Sequence, residues 1–264
     1  MKKALPIVWL VLVLAFIYVP ILVLAVYSFT DAHMVGGSVG GLTFENYINL
    51  FNNEDLRNMI FGTLVLAIGS ALIATALGTL GAIGAFYSKK LPKTLINGAN
   101  QIPVINADVV TGFSLCVLLI VFFGIDKDTY IPLIIGHVTL CTPFVYLSIL
   151  PKLKQMDNNL YEAALDLGAT PTQALFKVVI PQLLSGILSG FMLAVTLSLD
   201  DYFITTYTKP STFDTISTYV VNATKGSNTE VKTALWALST VIFIVVIIVV
   251  ICMNVIPSKK KENK

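Results

Sequence analysis

"QMDNNLYEAALDLGATPTQALFKVVIPQ", residues 155–182, decides the fold. Long apolar runs lie on both sides of it, so this polar stretch joins two membrane segments and sits in water. Its own pattern is helical twice over. Asn159 followed by Glu162 reads as a capping-box start, Asn159 capping the backbone and Glu162 reaching back. Leu160, Ala163, Ala164 and Leu167 then share one apolar face. Gly168 stands where a glycine ends a helix. Thr170-Pro171-Thr172-Gln173 starts another, with a capping threonine, proline at the first helical position and glutamine at the third. Pro181 ends that second helix or bends it into the next apolar run. The expectation is a compact knob of two short helices, each about 8–10 residues and 12–15 Å long.

The rest of the chain fits a bilayer. Of 264 residues, 56% are hydrophobic and 12% charged, and the mean hydropathy is +0.82. Soluble domains carry about 25% charged residues. Six spans are predicted within one transmembrane domain covering 1–264: 4–29, 59–87, 101–123, 130–150, 182–206 and 234–256, with the knob in a loop over 151–181. The fold class is all-α, a polytopic helix bundle. The first apolar run is too long for a signal peptide and lacks a clear cleavage site.

Lys and Arg set the orientation. With the N-terminus in the cytoplasm, the inner segments hold Lys2, Lys3, Lys89, Lys90, Lys93, Lys152, Lys154, Lys177, Lys259, Lys260, Lys261 and Lys264. The outer segments hold only Arg57, Lys127, Lys209, Lys225 and Lys232. That bias puts both termini and the knob on the cytoplasmic side. The net charge of +2 is spread as membrane-flanking lysines, which points to a membrane and not to nucleic acid.

Small residues Gly69, Ser70, Ala74, Gly78, Gly81 and Gly84 recur along the second span and read as a helix-packing face. Cys116, Cys141 and Cys252 lie in apolar runs without metal spacing, and His33 and His137 stand alone. There is no G-x-x-x-x-G-K-[ST] phosphate loop, no HExxH and no GxSxG, so neither ATP hydrolysis nor membrane enzyme chemistry is expected of this chain. It is expected to carry no cofactor of its own. A self-contained secondary transporter would leave the knob unexplained.

Acids inside spans are costly and mark function, at roughly 2.5–3.5 kcal/mol each on insertion scales. Asp108 falls in the third predicted span, and "LSLDDYFITTY", residues 197–207, places Asp200 and Asp201 in the outer half of the fifth. Consecutive helical residues differ by about 100°. Ser198, Asp201, Thr205 and Thr208 therefore share a polar stripe that is assigned to a translocation pathway, and Asp200 is expected to look toward a neighbouring helix or a partner membrane subunit. Aromatic residues Tyr202, Phe203, Tyr207 and Trp236 could add cation–π contacts at the outer mouth.

The knob resembles the EAA loop of binding-protein-dependent ABC importer permeases. Glu162, Ala163, Ala164, Gly168 and Pro181 match that pattern at full spacing, with Val178 and Ile180 standing where the family has isoleucine and leucine. The six-span layout agrees over nearly the whole chain. Within the family, "NADVVTGFSL", "YEAALDLGAT" and "LSLDDYFITTY" are similar to the spermidine/putrescine permeases, although Ala107 stands where proline usually precedes the span-three acid. The resemblance implies a type I importer permease fold. It implies half of a polyamine pathway involving Asp108, Ser198, Asp200, Asp201 and an outer-loop aromatic such as Tyr47, beside Asn46. It also implies coupling through Glu162, Ala163, Ala164, Gly168 and Pro181. The implied partners are a cytoplasmic ABC ATPase dimer that binds the ATP, a second homologous permease, and an extracytoplasmic polyamine-binding protein docking on the outer loops. The residues alone leave sugar, amino acid or metal-chelate cargo open.

Overall fold

The computed structural model describes residues 4–32, 41–157, 159–225, 233–244 and 247. In chain order the helices are α1 (Ala4–Ser28), α2 (Glu45–Asn52), α3 (Glu54–Tyr87), α4 (Lys90–Ile105), α5 (Asp108–Cys116), α6 (Ile131–Gln155), α7 (Asn159–Asp166), α8 (Pro171–Ala174), α9 (Ile180–Asp200), α10 (Phe203–Thr208), α11 (Ile216–Lys225) and α12 (Thr233–Ile244). Among the described residues there is no sheet, only an isolated bridge between Thr30 and Leu42. Two compact units are present, residues 59–219 and the chain ends 1–58 with 220–264. His33, Cys252, Lys2, Lys3, Lys232 and the C-terminal lysines lie outside the described residues, as does most of the sixth predicted span beyond α12.

In the larger unit α6 is the axis. Leu133, His137, Cys141, Val145, Ile149 and Leu153, one every fourth residue, are all at 0% exposure. The same spacing on α9 buries Gly186, Gly190, Ala194 and Ser198. Ridges at four-residue spacing interlock on both helices. The two run antiparallel: Gly186 meets Lys152, Gly190 meets Val145, Cys141 Sγ lies 3.3 Å from the carbonyl of Ala194, and His137 meets Ser198. In hydrocarbon, apolar burial gains little over lipid, so helices associate through close contact and hydrogen bonds. Glycine supplies the close contact here. A Cβ on Gly190 would lie 3.2 Å from Val145 Cγ1, and one on Gly186 2.9 Å from Lys152 Cγ.

The small-residue face of α3 does the same on another side of α6. A Cβ on Gly78 would fall 2.8 Å from Val145 Cβ, and one on Gly81 3.7 Å from Tyr146. Ser70 and Ala74 are buried beside them. Gly69 and Gly84 have nothing within 4 Å, so the packing face is shorter than the sequence stripe. Enclosure by these neighbours explains why α6, the least hydrophobic predicted span, tolerates His137 and Pro143: it faces protein more than lipid.

Two predicted spans differ from expectation. The third is not a continuous helix over 101–123. α4 ends at Ile105, Asn106 and Ala107 are extended, and α5 leaves at 107° to α4. Asn106 closes the break by donating its side-chain amide to Thr111 Oγ1 at 3.0 Å. α4 is held to α6 by polar contacts: Tyr146 donates its hydroxyl to Asn97, and Asn100 donates to the carbonyl of Pro143 at 3.3 Å. α5 continues in π-helical form over Val117–Phe122.

The fifth span is longer inward and shorter outward than 182–206. Helix runs without interruption from Pro171 to Asp200. Pro181 does not end it. Its missing N–H is absorbed by a π-helical stretch, Leu175–Val179, in which the Ile180 N–H reaches back to the carbonyl of Leu175. The second knob helix is therefore the inner end of the span itself. At the outer end, the helix stops at Asp200.

The smaller unit contains α1, exposed over residues 7–20, with α2 and α12. Asn46 on α2 is buried and donates to the carbonyls of Ser28 and Thr30, both at 3.0 Å. Thr240 on α12 donates to Ser28 Oγ at 3.2 Å, and the Tyr27 and Trp236 rings meet edge-on at 6.0 Å.

Overpacking a tight crossing costs about 1–3 kcal/mol. Gly78→Val is expected to lower the melting temperature of the purified protein in detergent, while Gly84→Ala, with open space around it, leaves it at or slightly above the parental value. A thermal unfolding series on both variants checks this.

Candidate functional site

The helix break after Asp200 concentrates the polar chemistry of the larger unit. Asp201 adopts an extended backbone (φ −66°, ψ 126°), and α10 begins at Phe203. A new helix opens with N–H groups that have no partner inside it. The Asp201 carboxylate takes two of them. Oδ1 accepts from the Ile204 N–H at 3.3 Å, and Oδ2 accepts from the Thr205 N–H and hydroxyl, both at 2.7 Å. His137, projecting from α6, bridges the break. Its Nδ1 lies 2.7 Å from Ser198 Oγ on α9 and its Nε2 3.0 Å from Thr205 Oγ1 on α10. Nε2 is also 3.9 Å from Asp201 Oδ2, and Ser198 Oγ is 3.2 Å from Ser70 Oγ on α3.

This corrects the facing predicted for Asp201. The stripe of Ser198, Asp201, Thr205 and Thr208 exists, but it is turned into the protein, at 2%, 8%, 0% and 0% exposure. Asp200 is exposed. The cause is local: helical spacing does not continue through a break, and an extended Asp201 folds its carboxylate onto the next helix instead of away from it. His137, read from the sequence as a lone histidine, is the centre of the cluster. Its signal was available, because a polar ring in a stripe of fully buried positions needs buried partners.

Asp108, the acid of the third predicted span, is exposed as well. It sits in the first turn of α5, directly after the break that ends α4, where a helix N-terminus favours a carboxylate. α5 lies against α10 so closely that a Cβ on Gly112 would be 3.0 Å from Ile204 Cα. The helix carrying Asp108 and the one following Asp200 are thus neighbours. Among the described residues, neither carboxylate enters an ion pair or a side-chain hydrogen bond. The Asp200 backbone carbonyl accepts from Ser217 Oγ at 3.2 Å. Phe203, 43% exposed, and half-buried Tyr202 flank the break, while Tyr207 packs edge-on against Phe113.

The knob is built largely as its sequence dictates. Gly168 has φ +87°, its N–H bonds the carbonyl of Leu165 at 2.9 Å, and the Ala169 N–H bonds that of Ala164 at 3.0 Å. This is the paired closure of a Schellman turn, which needs a left-handed residue. Thr170 and Gln173 form the expected capping box, with distances of 3.3 and 3.0 Å. At the start of α7 the expected cap is displaced: the Asp157 carboxylate, not Asn159, accepts, taking the Asn159 N–H at 3.0 Å. Tyr161 anchors α7 by stacking near Tyr87 at 5.3 Å. Glu162, Ala163, Gly168 and Pro181 are exposed, Ala164 is half-buried, and Leu167 is bare at 89%.

Tyr47 belongs to the smaller unit. Its hydroxyl bonds Ser28 Oγ at 2.8 Å and its ring lies 4.9 Å from that of Phe29. Asn46 beside it is buried, so it offers no outer contact, whereas Ile48 on the same helix is 55% exposed.

Comparison with known proteins bears on this arrangement. A family model described as "binding-protein-dependent transport system inner membrane component" matches residues 78–262. The spermidine/putrescine transport system permease protein PotC of Escherichia coli K12 is 29% identical over 250 residues, covering 94% of this chain and 92% of that one. The putrescine transport system permease protein PotI of the same strain is 32% identical over 246 residues, covering 89% and 84%. A crystal structure of a bacterial ABC transporter involved in import of the acidic polysaccharide alginate superposes with a TM-score of 0.74 at 20% identity, covering 96% of this chain and 94% of that one. That likeness shows the fold.

Removing the acceptor of several buried donors costs about 1–3 kcal/mol. Asp201→Ala strands the N–H groups of Ile204 and Thr205, so it is expected to lower the melting temperature clearly, while Asp200→Ala on the exposed side changes it little. Differential scanning of the detergent-solubilised variants measures the gap.

Proposed function

We propose that this chain, which belongs to the binding-protein-dependent transport system inner membrane component family, is the permease subunit that passes polyamines through an ATP-driven importer. The cargo reading draws on relatives named for spermidine and putrescine transport. The observation that carries it is the pair of exposed carboxylates, Asp108 and Asp200, each at a helix end and without an ion-pair partner among the described residues. A polyamine brings several ammonium groups, each able to form a charge-assisted hydrogen bond with a carboxylate. Phe203 and Tyr202 at the same break offer ring faces to a passing cation. Asp201 and Ser198, expected beside the cargo, serve instead to hold the break.

The energy comes from a separate ATPase dimer, received by the knob. Its surface of Glu162, Ala163 and Leu167 is exposed and left uncovered by the other described residues. A second six-span permease completes the pathway, and a polyamine-binding protein delivers cargo to the outer face. The chain lies in the plasma or inner membrane, and the lysine bias supports a cytoplasmic side for both termini and the knob.

Labelled-spermidine uptake, corrected for the membrane level of each variant, tests the cargo. Asp108→Asn and Asp200→Asn are expected to cut uptake strongly at normal protein levels. Parental uptake in both would leave an importer permease with a different cargo. For coupling, Gly168→Val forces a branched residue to φ +87°. Transport and substrate-stimulated ATPase activity of the reconstituted complex are expected to fall together, and normal stimulation would refute the assignment.

A further inference from the structure

Building on the cargo reading above, we infer that His137 is a positioning residue: it ties α9 to α10 across the helix break and so fixes where Asp200 presents its carboxylate. Two non-helical residues, Asp201 and Tyr202, separate α9 from α10. Each such residue adds two soft backbone torsions, so the direction of α10 relative to the end of α9 is set by contacts from outside the break. The Asp201 carboxylate does not set it, because it bonds forward to α10 only. Gly136 and Gly112 let Ile204 pack tightly from two sides, which seats α10, while α9 is seated by its crossing with α6 and by Ser217 on the Asp200 carbonyl; neither set of contacts joins the two helices to each other.

His137 supplies the missing tie. It is fully buried, and its two ring nitrogens bond one residue before the break and one after, Ser198 at 2.7 Å and Thr205 at 3.0 Å. A neutral ring with its proton on Nε2 satisfies every partner. Nε2–H donates to Thr205 Oγ1, whose hydroxyl donates to Asp201, and Nδ1 accepts the Ser198 hydroxyl. The imidazole is rigid and its nitrogens diverge, so it sets a distance between the two helices that a flexible amide side chain would not. Asp200 is the last helical residue before the break, two positions past the Ser198 tether.

The test is spermidine kinetics in membrane vesicles carrying the whole importer, with His137→Ala, Asp200→Asn and the double variant. Losing a hydrogen bond to a charged group corresponds to a tenfold or larger change in affinity, so His137→Ala and Asp200→Asn are each expected to raise KM about tenfold. The maximal rate per assembled complex, judged by copurified ATPase, is expected to stay within about twofold of the parent in His137→Ala, as for a loss of uniform binding. The double variant is expected to show no more than the larger single effect, because a carboxylate already displaced has little left to lose. Ser198→Ala removes one tether and is expected to raise KM less; it carries the test if His137→Ala does not accumulate. Parental KM in both tether variants, a lower maximal rate at parental KM, or multiplicative effects in the double variant would overturn the inference while leaving the cargo reading intact. Parental KM in Asp200→Asn would instead remove the cargo reading and this inference with it.

Discussion

A backbone N–H or C=O group left unbonded in a bilayer costs several kcal/mol, and at three irregularities among the described residues a side chain or an altered helix meets that demand. After Asp200 the helix stops, and the Asp201 carboxylate takes the first amides of α10. At Asn106 the chain turns, and the amide side chain bridges to Thr111. Around Pro181 no donor exists, and the helix widens to a π-form just before it. Breaks of this kind are tolerated at membrane depth only inside protein or beside an aqueous cavity. Here they bring the two exposed acids to helix ends, where carboxylates can be displayed without disrupting a helical ladder.

Close packing lets these breaks coexist with a stable bundle. α6 is gripped by glycines on α3 and α9, and its own Gly136 admits Ile204 of α10. Because lipid competes for apolar surface, a bundle of this kind depends on contact distance and hydrogen bonds more than on hydrophobicity. This is why its least hydrophobic member occupies the middle. His137 is affordable there because both nitrogens and all their partners are satisfied within the chain.

What the sequence discloses follows the range of the interactions. Gly168 closing α7 and Thr170 with Gln173 opening α8 are bonds between residues at most five apart, and they were legible in full. The spans were legible as apolar runs, since hydropathy needs no knowledge of neighbours. The breaks were not, because residues 101–123 and 182–206 remain apolar on both sides of Asn106 and Asp201. Asn106 and Asp108 did carry a stop and a start signal that hydropathy masked. The facing of Asp200 and Asp201 depended on where helical periodicity ceases, and on a histidine 64 positions upstream in sequence from Asp201. Neither is a local property. Asp157 displacing Asn159 as the acceptor for α7 is a smaller case, a choice between adjacent polar residues that only the chain path settles.

The unbroken helix from Pro171 to Asp200 has a mechanical consequence. Thirty residues at the helical rise make a rod about 45 Å long, with the knob at one end and the outer break at the other. A stiff rod pivoted near its middle, where Gly186 and Gly190 cross α6, carries both ends in opposite directions. Tilting it by about 5° displaces each tip by roughly 2 Å, enough to make or break a hydrogen bond. The π-helical stretch lies between the knob and that pivot, so any slack in the lever is confined to the arm that carries the knob. The other arm is regular helix to its last residue, Asp200, so it has no such slack of its own.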